Sequence, residues 1–353
     1  MLTRLTIGLL LTIPLLCLPK DACSGEVADR YLAMAMQGNL SNARSLFATA
    51  GHLDLVDRQL FENFERRFPT GSDDVEPSRH RSGDTPFEDE MIRLYEHYWR
   101  RSLLGQWNPD TGDQWLRQRV SGLVARRYPH IPITGHQDIL GLAASKLSDS
   151  GLYASVTRTG ALQDLLVWRT EERKEFSVEL TDGGMALTTV MIDDLESQGW
   201  RDFATFGAAP TAGWADRDTV YCICWSYQTG SERFRVSFLK HEARHVRDYS
   251  LYPDLSAVKL EFRAKLTELA YAQSTMPNLI AGFRSNAADD VDSPHSRANL
   301  QVMQALALEL NLPLQARAQE LDPWPVVRHY DINSAARRIL QRDSQQLMDN
   351  VRP

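Results

Sequence analysis

Residues Phe238 to Leu269 read FLKHEARHVRDYSLYPDLSAVKLEFRAKLTEL, and fold and chemistry both turn on them. Within the stretch, His241-Glu242-Ala243-Arg244-His245 forms an H-E-x-x-H pattern. Residues four apart on an α-helix lie one above the other on one face. His241 and His245 therefore aim two imidazoles at one point, which suits a tetrahedral metal ion. Glu242, beside the first histidine, is placed to hold a metal-bound water and take its proton. No Gly or Pro interrupts Lys240 to Tyr249, so a helix can form there. The plain alternative is a surface helix in which Arg244 and Asp248 make an ordinary i,i+4 pair.

Upstream, Glu232 to Leu239 alternates, with Phe234, Val236 and Phe238 on one side and Arg233, Arg235 and Ser237 on the other. A period of two predicts a half-buried strand feeding the motif helix. Downstream, Pro253 and Asp254 open a second helical pattern with Leu255, Val258, Phe262, Leu266 and Leu269 as its apolar stripe. Glu261 and Glu268 lie on it about two turns apart, and either can fold back to supply a third metal ligand. For Glu261 the competing reading is an i,i+4 salt bridge to Lys265.

These residues resemble the zincin metallopeptidases, in the glutamate-ligated branch typified by thermolysin and neprilysin. The fuller string F-L-x-H-E-A-x-H-x-x-D-Y…L-E-F-R-A-K-L-x-E-L is close to a family of secreted bacterial H-E-x-x-H proteins. The likeness covers Thr219 to Ala272. It implies a zinc ion held by His241, His245 and a glutamate of the following helix. Glu261-Phe-Arg-Ala264 fits the E-x-x-A segment seen there, so Glu261 is preferred and Glu268 is the alternative ligand. Val246 to Leu251 lack the glycine and third histidine of the metzincin branch. Asp248 is the expected partner of a ligand imidazole. The implied activity is hydrolysis of a peptide or protein substrate through a metal-bound water activated by Glu242. A distal His or Tyr is expected to stabilise the oxyanion; His295 and the pair His329-Tyr330 are the candidates.

The chain of 353 residues begins MLTRLTIGLLLTIPLLCLPKDACSG. Arg4, a short apolar run from Leu5 to Leu18 and the Ala22-Cys23-Ser24 site read as a signal peptide over 1–24. The run is short for a bilayer span. Export to the periplasm or medium follows. A lipid anchor at Cys23 is the alternative, against which Lys20 and Asp21 stand. Cys222 and Cys224 are alternate residues of one predicted strand and read as small buried side chains rather than a disulfide. A net charge of −7 argues against a nucleic-acid partner. No later stretch is apolar enough for a transmembrane helix.

The expected fold class is α+β. Residues 25–150 read as a helical domain interrupted by a Pro-, Ser- and Gly-rich mobile loop at 69–88. Met91, Leu94, Tyr95, Tyr98 and Trp99 recur at helical spacing and read as core. Residues 151–353 read as a zincin-like domain. Its strands are predicted at 162–168, 174–180, 186–192, 219–227 and 231–239, with a turn at Gly183-Gly184. The 219–239 hairpin is the expected edge for extended substrate, and Trp200 and Trp214 are expected to border the cleft. A non-catalytic cell-envelope binding or assembly factor on the same scaffold is the alternative function.

Overall fold

The computed structural model describes residues 9–10, 26–70, 86–133, 138–216, 219–289, 293–313 and 324–351. Apart from Leu9–Leu10, the expected signal segment, with Cys23, lies outside the described residues. So do most of the expected loop 69–88, with His80, and Asp290 to Asp292. The protein is α+β: a helical N-terminal part precedes a mostly antiparallel sheet, which is followed by further helices. Among the described residues, no helix is long and apolar enough to cross a membrane. The chain divides into two compact units. One comprises 1–8, 17–171 and 193–211; the other comprises 9–16, 172–192 and 212–353.

The first unit contains α1 (Glu26–Met36), α2 (Ala43–Thr49), α3 (Leu55–Arg67), α4 (Phe87–Leu103), α5 (Pro109–Arg127) and α6 (Ile139–Lys146). Local chemistry sets their starts. Asp54 caps α3 by accepting from Asp57 N, and Asn108 caps α5 from Thr111 N with Pro109 in the first turn. Met91, Tyr95, Tyr98 and Trp99 of α4 are buried in the core with Tyr31, Phe47, Phe64 and Phe203. Strand β2 (Tyr153–Thr159), which has no counterpart among the predicted strands, pairs antiparallel with the start of β3 (Leu162–Leu180). The end of β4 (Gly183–Gln198) leads into α7 (Gly199–Thr205). Gly199 has φ +86, and a Cβ there would lie 2.4 Å from Asp164 Oδ1. That carboxylate accepts from the amides of Trp200 and Leu165. Trp200 is buried in this core.

The second unit holds the rest of β3 and β4 with β5 (Gly213–Asp216) and β6 (Thr219–Ile223). Leu9–Leu10, β1, pairs antiparallel with β5, and β5 pairs antiparallel with β6. β4 runs parallel to β6, from Thr188↔Thr219 to Ile192↔Ile223. Trp214 is buried and stacked on Tyr221 at 4.7 Å. Cys222 is buried among the sheet-side apolar residues.

The predicted strand 231–239 is helical instead. Residues 234–240 form a π-helical stretch that runs directly into α8 (His241–Leu251), so 219–239 is not a hairpin and cannot offer the expected edge. The alternation has a different origin. Residues two apart on a helix lie on nearly opposite faces. Phe234 and Phe238 stack at 5.5 Å within the sheet-side core, whereas Val236 packs with Phe262, Leu266 and Leu306 in a second core. The helix is sandwiched, and both faces bury apolar residues. The second core is built by α9 (Ala257–Tyr271), α10 (Met276–Ser285), α11 (Pro294–Leu310) and α12 (His329–Val351). Glu232 accepts from the amides of Gln273, Ser274 and Thr275 and so caps the entry to α10.

Candidate metal centre

Helix α9 begins where Ser256 accepts from Lys259 N. Every residue from Leu260 to Ala270 is buried, so Glu261, Arg263, Lys265 and Glu268 are carried inside with the apolar stripe. Charged side chains are almost never fully buried unless paired, and the pairs clamp α9 to its neighbours. Arg263 Nε and a terminal nitrogen donate to the two oxygens of Asp248 on α8 at 2.6 and 3.1 Å. Its other terminal nitrogen donates to Asp343 on α12 at 2.7 Å. Arg244 forks onto Asp182, in the turn before β4, at 2.7 and 2.9 Å. Two helices pinned at several charged points hold their facing side chains in fixed register.

At that facing surface His241, His245 and Glu261 converge. Their ligand atoms all lie within 4.8 Å of one another, and among the described residues they are the group of His, Cys, Asp and Glu that can hold a metal ion. The two Nε2 atoms are 3.0 Å apart, and His245 Nε2 is 3.2 Å from Glu261 Oε1. Metal–nitrogen bonds of about 2.0–2.1 Å at tetrahedral angles put ligand atoms about 3.3 Å apart, so the spacing fits a small tetrahedral cation. His241 Nδ1 is 2.7 Å from Glu268 Oε1. A carboxylate accepts, so the proton sits on Nδ1 and the Nε2 lone pair faces the other donors.

The electrostatics match a site built for positive charge. Burial pushes the His241 imidazole below its ordinary value, outweighing the opposing pull of Glu268 and Glu261. Burial acts the same way on His245, but the hydrogen bond and charge of Glu261 outweigh it and hold His245 above its ordinary value. Burial would raise Glu261; His295 and His245 instead hold it well below the usual carboxylate range. Glu242 is wholly buried, with no hydrogen-bond partner at either carboxylate oxygen. Desolvation, helped by Glu261 and Glu268 against the pull of His245, pushes it up to about 8.

The sequence candidates divide as follows. Glu268 does not join the three donors; it orients His241. Asp248 does not serve a ligand imidazole; it is committed to Arg263 and, at 3.4 Å, to Arg244, and this 3.4 Å contact is the i,i+4 pair of the plain alternative. Glu261 also makes its i,i+4 approach to Lys265, at 3.8 Å. His295, in the first turn of α11, reaches the group, with Nδ1 2.8 Å from Glu261 Oε2. His329 and Tyr330 are exposed in the first turn of α12 and make no contact with the three donors. A helix start with a polar face looks alike in sequence whether it points inward or outward. Tyr249 is not among the sequence candidates. It lies one turn beyond His245 on the same face of α8, part-buried, and the charges of Glu261 and Glu242 add to burial in raising its pKa. The spacing 241, 245, 249 was the available signal.

No family model, no curated protein and no solved structure matches this chain.

Proposed function

We propose that the protein is a zinc-dependent peptidase of the glutamate zincin kind, acting on a peptide or protein substrate outside the cytoplasm. The observation that carries the reading is the Glu242 carboxylate, buried and unpartnered beside three convergent metal donors. Leaving a buried polar group unmade costs about 1–3 kcal/mol, more for a charged one. A site that merely stapled two helices together has no use for such a group, whereas a hydrolase needs a proton acceptor there. Zinc suits a His, His, Glu donor set at this spacing, and with three protein ligands it keeps one position open.

When bound, zinc would supply Lewis acidity and bring the pKa of a water to about 7. The remaining work falls to the chain's own residues. His241 and His245 bind through Nε2, Glu261 through its carboxylate, and Glu268 fixes the His241 tautomer. A Glu242 oxygen takes the proton of the attacking water and returns it to the leaving amine nitrogen. With the cation bound this carboxylate would be ionised, and with no other partner it is available to accept that proton. Tyr249, one turn beyond His245 on α8, is a phenol available to donate to a developing oxyanion.

One observation favours a second reading. His241, Glu242, His245 and Glu261 are at most 1% exposed, which suits a non-catalytic envelope factor holding its metal out of reach. Peptide-library cleavage by zinc-loaded protein, with and without chelator, separates the two. Chelator-sensitive cleavage that disappears in Glu242→Gln while zinc is retained supports the peptidase. Zinc retention with no cleavage of any peptide or cell-wall fragment selects the binding factor.

A further inference from the structure

The two oxygens of Glu261 have different neighbours. Oε1 faces His245 Nε2 at 3.2 Å. Oε2 lies 3.8 Å from His241 Nε2 and meets His295 Nδ1 at 2.8 Å and Lys265 Nζ at 3.8 Å. These last two groups come from different places: Lys265 stands one turn along α9 and is 6% exposed at its side chain, and His295 enters from the start of α11. Lys265 Nζ also sits 4.9 Å over the Phe283 ring of α10, so its ammonium is fixed rather than free to swing away.

The geometry points to His295 and Lys265 as positioning residues that hold the outer oxygen of Glu261, so that this carboxylate meets the cation through Oε1 alone. The inference rests on the metal-centre reading above and assigns His295 a different part from the oxyanion donor expected of it. A carboxylate free at both oxygens can chelate a cation and fill the coordination position that chemistry needs. One whose outer oxygen faces an imidazole nitrogen at 2.8 Å and an ammonium at 3.8 Å presents a single oxygen in a fixed direction. Lys265 also has a charge role. Three buried glutamates, Glu242, Glu261 and Glu268, surround the site, and the Lys265 ammonium offsets part of their charge. Removing groups that orient a metal ligand lowers affinity about 10–100-fold.

The test is zinc affinity by chelator competition, with zinc X-ray absorption for coordination number, on full-length protein. The panel is wild type, His245→Ala, His295→Ala, His295→Asn, Lys265→Met and His329→Ala. Asn places an amide N–H near the position of Nδ1, and metal-free unfolding curves confirm that each variant folds. The expected result is a loss of about 10–100-fold in His295→Ala with a raised coordination number. His295→Asn recovers most of the affinity, Lys265→Met shows a smaller loss, and the exposed His329→Ala shows none. Unchanged affinity and coordination in His295→Ala, with zinc lost in His245→Ala, overturns the positioning role and leaves the metal centre standing. Loss of turnover in His295→Ala at unchanged zinc affinity also overturns it, in favour of the oxyanion role. A wild type that takes up no zinc overturns both.

Discussion

Replacing Glu242 by Gln should change the pH dependence of stability in a calculable way. In the metal-free protein Glu242 is fully buried, unpartnered and pushed up to about 8 from 4.5. The folded state therefore binds this proton more tightly than the unfolded chain does. Stability from the group is complete below about pH 4.5 and is lost as pH rises towards 8. At pH 7 the loss spans about two and a half pH units at about 1.36 kcal/mol each, or about 3 kcal/mol. Gln cannot titrate, so its stability lacks this slope. Urea unfolding of both proteins in chelator, followed by tryptophan fluorescence from pH 4.5 to 8.5, exposes the effect, because titrating groups that do not sense Glu242 cancel in the difference. The variant should gain on wild type by about 3 kcal/mol between pH 4.5 and pH 7 and by little more above pH 8. A constant difference across the range would refute the reasoning, since it would mean that Glu242 ionises as freely in the fold as in water. Saturating zinc should remove this difference in slope between the two proteins, because the cation favours the ionised carboxylate.

Zinc content should fall to background in Glu261→Ala, but in Glu268→Ala the ion should remain bound about 10–100-fold more weakly; equilibrium dialysis distinguishes ligand from orienting partner. Glu232 is held at about 2 by the three amides and two hydroxyls it accepts from, burial opposing them. Its contribution is complete above pH 4.5 and is lost as pH falls towards 2, so Glu232→Ala and wild type should converge in stability on acidification. Truncating the sandwiched helix by Phe238→Ala should cost about 3–5 kcal/mol in chemical unfolding, a loss expected of a core residue and not of an edge strand. Tyr249→Phe should lower kcat while leaving zinc affinity and KM nearly unchanged, as steady-state kinetics on any cleaved peptide would show.

Local spacing made most of the centre legible. His241 and His245 converge because four residues make one turn, and Glu261 follows because a short connection turns α9 back along α8. What spacing could not give was the inward or outward sense of each remaining side chain. Asp248 and Glu268 are both acidic residues within reach of an imidazole in sequence. Arg263, on the facing helix, claims the first, and only that leaves the second to orient His241. His295 and His329 both begin helices, yet α11 starts against Glu261 while α12 starts in solvent. The sheet was less legible. The apolar alternation at 234–238 has the same period in a one-sided strand and in a helix buried on both sides. Strand β5 is only four residues long and lies in a Gly- and Ala-rich stretch with no alternation to betray it.

The burial of α9 ties these strands of inference together. A fifteen-residue helix whose interior positions include two glutamates, an arginine and a lysine is a poor choice for stability, since apolar side chains of similar size would pack there without desolvating charge. Arg263 earns its place by locking α8 and α12 to α9 through Asp248 and Asp343. Lys265 and Glu268 turn instead to the metal donors: one faces Glu261, the other His241. As proposed, they fix two metal donors in direction and charge. Were the centre a chance meeting of two histidines and a glutamate, the residues behind it would have no reason to be ionic. Substituting Lys265 and Glu268 together by Met should therefore stabilise the metal-free fold while weakening zinc binding more than either change alone, and a variant that lost fold and metal affinity in step would show that those charges serve only the packing of the helix.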